Sequence, residues 1–429
     1  MSKPLIAGRH DPIARETLRL EVISGVFTAA TLAVLDMGPA LAKKGFQASD
    51  FQVALLTSGP SLGLILSFFV AHYAKDHLRV PLVFWLQLAA NLLFCPVFFL
   101  KPTFSLAFVV LHCLARIFWS MSFPAQIVVY QSNFPSEIRG QIVGRIRQIQ
   151  FFFVTVFALL LSMLLDWNVG QEDLVALFGD CPIPVRYMLN YVVPAAGVVG
   201  ILGTLVYRRI REVPFRDEAG ERDSVLATVR EFARVLKEDR YFRRYESFFF
   251  VFGFANIMSV PLVQIHAVDE LQANYFDLAM INVIIVQGAM ALTMAWWGRR
   301  IDRYRPTLLR AVLNLVVGVD FLALALAPTI GWVYIGRLFR GMALGGGTLL
   351  WMLGSLYFAK SSRNAAVYTG IHTVLTGIRW GIAPFAGVLL KNCFQTTSRP
   401  IFWIAFIILV VTALGLFREA RREDRRVEQ

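Results

Sequence analysis

Six charged side chains interrupt long apolar stretches of the sequence: Asp36, Arg116, Asp320, Arg337, Arg340 and Arg379. A charge in such surroundings is costly, so each one indicates a partner, a water-filled cavity or a function. Arginine binds carboxylate or phosphate groups through paired hydrogen bonds and keeps its proton when it is buried. Because four of the six residues are arginines, the excess of positive charge favours an anionic ligand.

Metal and cofactor chemistry find little support in the sequence. The segment HAVDE (266–270) offers too few ligands for a metal site. The four cysteines lack the spacing of metal ligands. Two of them, Cys181 and Cys393, could lie on the same side of the apolar stretches and form a disulfide. We therefore predict no catalytic residues, no metal and no cofactor.

The composition is that of a membrane protein. The mean hydropathy is +0.59, the chain contains 36 Phe, and only 17% of its residues are charged. Because roughly 20 apolar residues suffice for one helical crossing, we predict twelve spans: 20–42, 51–74, 80–100, 103–131, 141–165, 187–208, 245–266, 277–298, 306–327, 331–358, 365–390 and 400–417. The first 19 residues are polar, so we expect the first span to act as the targeting signal.

The lysines and arginines between the spans predict the orientation of the chain. With the N-terminus inside, the inner segments carry 32 of the 42 Lys and Arg residues, the outer loops carry 6, and four lie within spans. Positive residues are retained on the cytoplasmic side of short loops, so we expect both termini in the cytoplasm, in a multi-pass protein of the plasma (inner) membrane. The net charge of +13 then reflects topology and contact with anionic lipid, and it requires no nucleic acid.

Two of the inner loops repeat after nearly the same interval. The aligned pairs are Asp76 with Asp302 and Arg79 with Arg305 at an offset of 226, and Phe134 with Phe358 and Arg139 with Arg363 at an offset of 224. Two loops that agree within two residues indicate a duplication of six spans. We predict an N-terminal half at 1–208, a cytoplasmic linker with an amphipathic helix at 209–244, and a C-terminal half with a basic tail at 245–429.

The loop WWGRRIDRYRP (296–306) carries a family signature. Four of its residues match the pattern that the major facilitator superfamily of transporters has between the second and third helices of a half: Gly298, Asp302, Arg303 and Arg305. The copy in the first half keeps Asp76 and Arg79, and it has His72 and His77 at the positions of the Gly and the first Arg. The chain therefore resembles this family in its loops.

A second feature of the family is Arg, three residues and Gly in the fourth helix of a half. Arg337 and Gly341 match it, whereas the first half has Arg116 with Ser120 in the Gly position. The resemblance covers essentially the whole chain and implies an all-α membrane fold with twelve transmembrane helices in two six-helix halves. It also implies transport by alternating access, with helices 1, 4, 7 and 10 around the cavity.

The depth of polar side chains in the predicted spans, taken together with this implied arrangement, selects candidate site residues. For substrate binding we predict Arg116, Arg379, Arg340, Gln264, Gln287 and His266. For proton coupling we predict Asp36, with His372 as a second candidate. For gating, in which a loop aspartate forms a latch in one conformation, we predict Asp302, Arg303, Arg305, Gly298, Asp76, Arg79 and Arg139.

Several of these residues also have a structural interpretation. Asp320 and Arg337 lie at similar depth, so we predict an ion pair between neighbouring helices. Arg116 could bond to backbone carbonyls, and Asp36 could cap a helix break before the Gly38–Pro39 pair. The loop arginines could simply anchor the topology by reaching lipid phosphates.

Two functions of different class remain. We predict a secondary active transporter, not an enzyme, that moves a small anionic organic solute by alternating access with proton coupling and acts as a monomer. The expected partners are the solute and membrane lipid, with no nucleic acid. The alternative is a receptor or membrane assembly factor of the same fold that does not transport. The altered first-half loop and Ser120 favour this alternative, whereas charged groups from both halves favour transport.

Overall fold

The chain forms an almost entirely helical structure. The computed structural model describes residues 12–73, 78–101, 103–135, 138–184, 187–212, 225–301, 303–358 and 362–427. In this described part, ten helical segments are long and apolar enough to cross a membrane. The two remaining predicted spans coincide with the helices Asp50–Tyr73 and Ile330–Leu353. The predicted all-α membrane fold is confirmed.

The first compact unit consists of Met1–Glu218 and Asn274–Ala279. Its helices are α1 (Pro12–Ala40), α2 (Asp50–Tyr73), α3 (Arg79–Leu92), α4 (Ser105–Asn133), α5 (Arg139–Asn168), the short α6 (Glu172–Phe178) and α7 (Met188–Tyr207). Within this unit α1 packs along α7 and α5, and α4 packs along α2 and α3. Small residues permit the close approach of α7 to α1, because a Cβ atom at Gly203 would lie 2.8 Å from the carbonyl oxygen of Ser24.

A buried asparagine joins three helices of the first unit. Thr31 of α1 donates a hydrogen bond to Asn91 Oδ1 on α3 at 2.5 Å, and Asn91 Nδ2 donates to Thr204 Oγ1 on α7 at 3.0 Å. Polar side chains in membrane helices need such partners because the surrounding lipid offers none. The hydrogen bonds among Thr31, Asn91 and Thr204 therefore stabilise the packing of α1, which carries Asp36, against α3 and α7.

The second compact unit consists of Ala219–Ala273 and Met280–Gln429. Its helices are α8 (Val225–Glu238), α9 (Arg240–Met258), α10 (Val260–Ile265), α12 (Ile285–Ile301), α13 (Pro306–Leu326), α14 (Ile330–Leu353), α15 (Ser362–Cys393) and α16 (Arg399–Val427), whereas α11 (Tyr275–Ala279) belongs to the first unit. Within it, α13 packs along α16 and α14, α12 along α14, and α9 along α15. Trp297 fixes α12 to α14 by donating from Nε1 to the carbonyl oxygen of Met342 at 2.8 Å.

An amphipathic helix lies inside the predicted linker. Apolar residues of α8, among them Phe232 and Leu236, pack against a cluster that includes Phe242 and Tyr368. Asp239 then begins α9, since its carboxylate accepts from the backbone N–H of Phe242 at 2.9 Å and from the Tyr368 hydroxyl at 2.8 Å. The limits of the two predicted halves and the linker stay a prediction.

Candidate functional site

In the first unit the structure brings Asp36 and Arg116 together. Both terminal nitrogens of Arg116, on α4, donate to Asp36 Oδ1, on α1, at 3.0 Å. The two side chains are 26% and 28% exposed, so the pair borders open space and is not sealed in the core. α1 does not break before Gly38 but runs through Pro39 to Ala40. Asp36 is therefore an ion-pair partner within α1, one turn before its end, and it caps no break.

Arg379 lies in the core of the second unit. It is 3% exposed, its Nη1 donates to the carbonyl oxygen of Phe249 at 2.5 Å, and its Nη2 donates to Thr376 Oγ1 at 3.1 Å. The guanidinium also stands 4.2 Å from the centroid of the Phe249 ring. These neutral partners bind Arg379 without neutralising its charge.

A second buried arginine approaches the same ring. Arg310 of α13 is 3% exposed and stands 4.5 Å from the Phe249 centroid. Its Nε and Nη2 atoms and the Nε atom of Arg379 find no hydrogen-bond partner in the described part of the chain. Both guanidiniums therefore keep unused donors beside the same aromatic ring, and such donors can bind carboxylate or phosphate groups.

His372 is paired with an acid. Its Nδ1 lies 2.8 Å from Glu246 Oε1, and the two side chains are 1% and 2% exposed. Glu246 is also a charged neighbour of Arg379. The second unit thus gathers an acid, an imidazole and two guanidiniums around Phe249, and we call Glu246, Phe249, Arg310, His372 and Arg379 the Phe249 cluster.

The amides predicted to bind substrate have different surroundings. Gln264 and Asn282 exchange two hydrogen bonds, from Gln264 Nε2 to Asn282 Oδ1 at 2.5 Å and from Asn282 Nδ2 to Gln264 Oε1 at 3.0 Å. Gln287 is half-buried, and its Oε1 accepts no hydrogen bond within the described ranges. Gln287 therefore keeps a free acceptor, whereas Gln264 does not.

His266 belongs to a buried network that contains no cluster residue. Its Nδ1 lies 2.8 Å from Glu270 Oε2, and Glu270 Oε1 accepts from the backbone N–H of Ser398 at 2.8 Å. The His266 side chain is fully buried against the ring of Phe402. The structure therefore does not bring His266 to Arg379 or His372.

The predicted ion pair between neighbouring helices is confirmed. Arg337 Nε donates to Asp320 Oδ1 at 3.0 Å, Arg337 Nη2 donates to Asp320 Oδ2, and the Asp320 side chain is completely buried. Arg340, one turn further along α14, is half-buried and donates to Asn256 Oδ1. Asp320 and Arg337 are both charged neighbours of Arg340. The Asp320 carboxylate therefore offsets the positive charge of two arginines.

Two gating residues in the described ranges, Arg79 and Arg139, have bonded partners. Arg79 donates from its backbone N–H to Glu212 Oε2 at 2.6 Å and from Nη1 to Glu212 Oε1 at 3.5 Å. Arg139 donates to the carbonyl oxygens of Gln131 and Phe134 at the end of α4. Among the others, Arg303 is exposed, Arg305 is half-buried and Gly298 lies in α12, whereas Asp76 and Asp302 lie outside the described residues.

Sequence reasoning missed several buried charges. Glu21 and Glu246 are the second residues of their predicted spans, and Arg147 and Arg310 lie within the first two turns of theirs, so hydropathy does not distinguish the four from surface charges. The structure buries Glu21, Glu246 and Arg310. The duplication in the sequence does point to these acids. Glu246 lies 225 positions after Glu21, between the offsets of 224 and 226 that align the loops.

Asp166 was also missed, and it holds the beginning of α11 within the first unit. This carboxylate on α5 is 2% exposed and accepts from the backbone N–H groups of Tyr275 at 2.8 Å and Phe276 at 2.6 Å. Losing the acceptor of a buried N–H costs about 1–3 kcal/mol. We therefore expect Asp166→Ala to speed hydrogen exchange in peptides covering 275–280 at least tenfold. Glu172→Ala, on α6, is the matched control, and equal exchange rates in Asp166→Ala and wild type would contradict the prediction.

Comparisons with known proteins identify the family. Residues 22–384 match the sequence model of the Major Facilitator Superfamily. No curated protein matches the sequence significantly. Among solved structures, the chain is similar to a point mutant of the nucleoside transporter NupG, with 12% identity, a TM-score of 0.70 and coverage of 94% of this chain and 99% of that one.

Two further solved structures have the same fold. A bacterial homologue of the human lysosomal transporter Spinster, inward-facing and occupied, has 13% identity, a TM-score of 0.65 and coverage of 98% of both chains. A D-xylose–proton symporter has 15% identity, a TM-score of 0.62 and coverage of 94% of this chain and 97% of that one. At such low identity these likenesses establish the fold alone.

Proposed function

The chain belongs to the Major Facilitator Superfamily and is a multi-pass membrane protein of a transporter family, and from this we propose that it transports a small anionic organic solute together with protons. The observation that carries the proposal is the Phe249 cluster. Two buried arginines lie at the Phe249 ring, and the carboxylate of the cluster, Glu246, is already bound to His372. Buried charge of one sign without compensation favours a ligand of the other sign.

We propose that Arg379 and Arg116 each contribute to solute binding. Arg379 would use its Nε donor, and Arg116 would exchange one of its bonds to Asp36 for a bond to the solute. The exposure of the Asp36–Arg116 pair, about a quarter of each side chain, supports this exchange. Four further residues stay candidates for solute binding: Arg340, Gln264, Gln287 and His266. Among them, Gln287 has an Oε1 atom that is free to accept a hydrogen bond.

Proton coupling has two candidate groups, Asp36 and His372. The fold can support such coupling, since one solved structure that shares it is named a D-xylose–proton symporter. Gating by alternating access is assigned to the duplicated loops, with Asp302 and Asp76 as latch residues and the remaining candidates as their partners: Gly298, Arg303, Arg305, Arg79 and Arg139. We further propose cytoplasmic termini, a plasma-membrane location, contact with anionic lipid and a monomeric state.

Binding and uptake by the purified full chain test this function. We expect that, in a panel of gluconate, lactate, citrate, glycerol 3-phosphate and glucose 6-phosphate, at least one anion raises the thermal midpoint more than neutral or cationic compounds of similar size. The same anion should accumulate in proteoliposomes with an alkaline interior, above protein-free liposomes. A response only to cations or neutral compounds would contradict the anionic proposal, and binding without uptake would support the non-transporting receptor instead.

A further inference from the structure

Two acid–base neighbours occupy equivalent positions in the two predicted repeats. Glu21 on α1 and Glu246 on α9 are 225 residues apart, and so are Arg147 on α5 and His372 on α15. This interval lies between the offsets of 224 and 226 that align the loops. α1 packs against α5 within the first unit, and α9 packs against α15 within the second. Both units therefore have a carboxylate on one helix and a basic residue, Arg147 or His372, on the helix packed against it.

In the first unit the basic residue is Arg147, whose positive charge is permanent. Glu21 is 3% exposed and has Arg147 as its charged neighbour. Arg147 is held in place by Gln150 Oε1 at 2.7 Å and Gln126 Oε1 at 2.9 Å. Because a guanidinium does not lose its proton in proteins, Glu21 always faces a positive charge.

In the second unit the base can change its charge. Imidazole gains and loses a proton near neutral pH, so Glu246 faces a full positive charge only when His372 is protonated. Glu246 Oε2 and His372 Nε2 have no hydrogen-bond partner in the described part of the chain. Each of these atoms can bond to water or solute that enters.

Arg379 from α15 is a charged neighbour of Glu246, and Arg310 from α13 is in turn a charged neighbour of Arg379. α9 contributes the Phe249 ring, 4.5 Å from the His372 ring, and α14 contributes the ring of Trp351 at 5.9 Å. Two further ionisable side chains of α9 are bound: Asp239 accepts from the Tyr368 hydroxyl, and Arg244 pairs with Glu419.

The charges of the Phe249 cluster link proton binding to anion binding. With His372 neutral, two arginines and one carboxylate give 2 − 1 = +1, and protonation raises this to +2. A bound monovalent anion returns the total to +1. Each binding event thus lowers the electrostatic cost of the other, and this coupling is reciprocal.

We propose that Glu246 and His372 form the proton-carrying pair of this transporter, and that one proton moves in the same direction as each negative charge of the solute. The inference rests on the proposed function. It selects His372 over Asp36 as the coupling group, because Asp36 is bound to the permanently charged Arg116. In the first repeat, Arg147 occupies the position equivalent to His372.

Exchanging the base tests the assignment. His372→Arg gives the second unit the fixed charge found at Arg147. In wild-type proteoliposomes, a pH gradient of one unit should accumulate labelled gluconate or lactate about tenfold, since one unit corresponds to a tenfold ratio. In His372→Arg we expect the ratio to fall to about one. Gradient-driven accumulation by folded His372→Arg would overturn the proposal.

The acids provide a matched control pair. Glu246→Gln and Glu21→Gln make the same change at equivalent positions, and we expect only Glu246→Gln to lose gradient-driven accumulation. Equal losses at equal thermal stability would give both pairs a structural role and overturn the proposal.

A measurement without solute separates this inference from the proposed function. In the full chain labelled with ¹⁵N-histidine, the NMR signal missing from His372→Gln should show the ring gaining and losing a proton as the pH is changed across the range in which the protein stays folded. A signal that keeps one state over this range overturns the proton assignment even if anions are transported. A titrating signal in a protein that takes up no anion upholds the pair and refutes the anionic function.

Discussion

Replacing Arg379 with Gln is expected to weaken anion binding and uptake about 100-fold, because truncating one partner of a buried charged contact costs about 2–5 kcal/mol. Gln can still donate to the carbonyl oxygen of Phe249, the bond that Arg379 Nη1 makes now. The protein should therefore express and fold. The measurement is the dissociation constant of the best anion from the panel, followed by its uptake into proteoliposomes.

Arg116→Gln should have a similar effect for a different structural reason. It removes the second proposed anion contact and leaves Asp36 without its two bonds at 3.0 Å, so that a bare carboxylate would repel the anion. Arg234→Gln is the matched control, since this arginine is 62% exposed on α8. Normal binding by both Arg379→Gln and Arg116→Gln would contradict the anionic assignment.

The fold was predictable because the apolar runs are long and continuous. Each predicted span coincides with helical structure, since a helix satisfies its own backbone hydrogen bonds in a bilayer and needs about 20 apolar residues to cross it. The ion pair of Asp320 with Arg337 was predictable for the same reason, because consecutive antiparallel helices bring residues of equal depth close together.

The site was less predictable because partners come from helices far apart in sequence. Asp36 and Arg116 are 80 positions apart, and hydropathy alone does not reveal how α1 and α4 are rotated toward each other. Arg79 binds Glu212 across 133 positions, a partner that the loop signature does not indicate. Asp36 and Arg116 were therefore given separate roles, although the structure makes them a pair.

Buried acids near span ends were missed because hydropathy treats a charge there as part of the surface. Glu246 lies in the second turn of α9, yet its side chain is 2% exposed, since α15 covers it with His372. Comparing the repeats position by position would have distinguished it from the exposed charges around it. Internal symmetry therefore carries information about sites that composition and periodicity lack.

The largest effect on stability is expected at Asp320. Breaking a buried ion pair by removing one partner costs about 3–5 kcal/mol, because a charge is left buried without compensation. Asp320→Ala should cost more than Arg337→Ala, since Asp320 is also the charged neighbour that offsets Arg340. Removing the carboxylate leaves two arginines repelling each other within α14, whereas removing Arg337 leaves Asp320 with Arg340.

A double-mutant cycle separates this pair from general damage to the core. Asp320→Leu combined with Arg337→Met should recover much of the free energy of unfolding lost in either single variant, because apolar replacement of a whole buried pair is often neutral. The readout is the unfolding midpoint of the purified protein in detergent. Arg422→Gln is the control, since its pair with Glu419 leaves Arg422 60% exposed and an exposed pair contributes about 0–1 kcal/mol. Strictly additive losses in the double variant would mean that Asp320 and Arg337 act independently, and the ion pair would then contribute nothing of its own to the second unit.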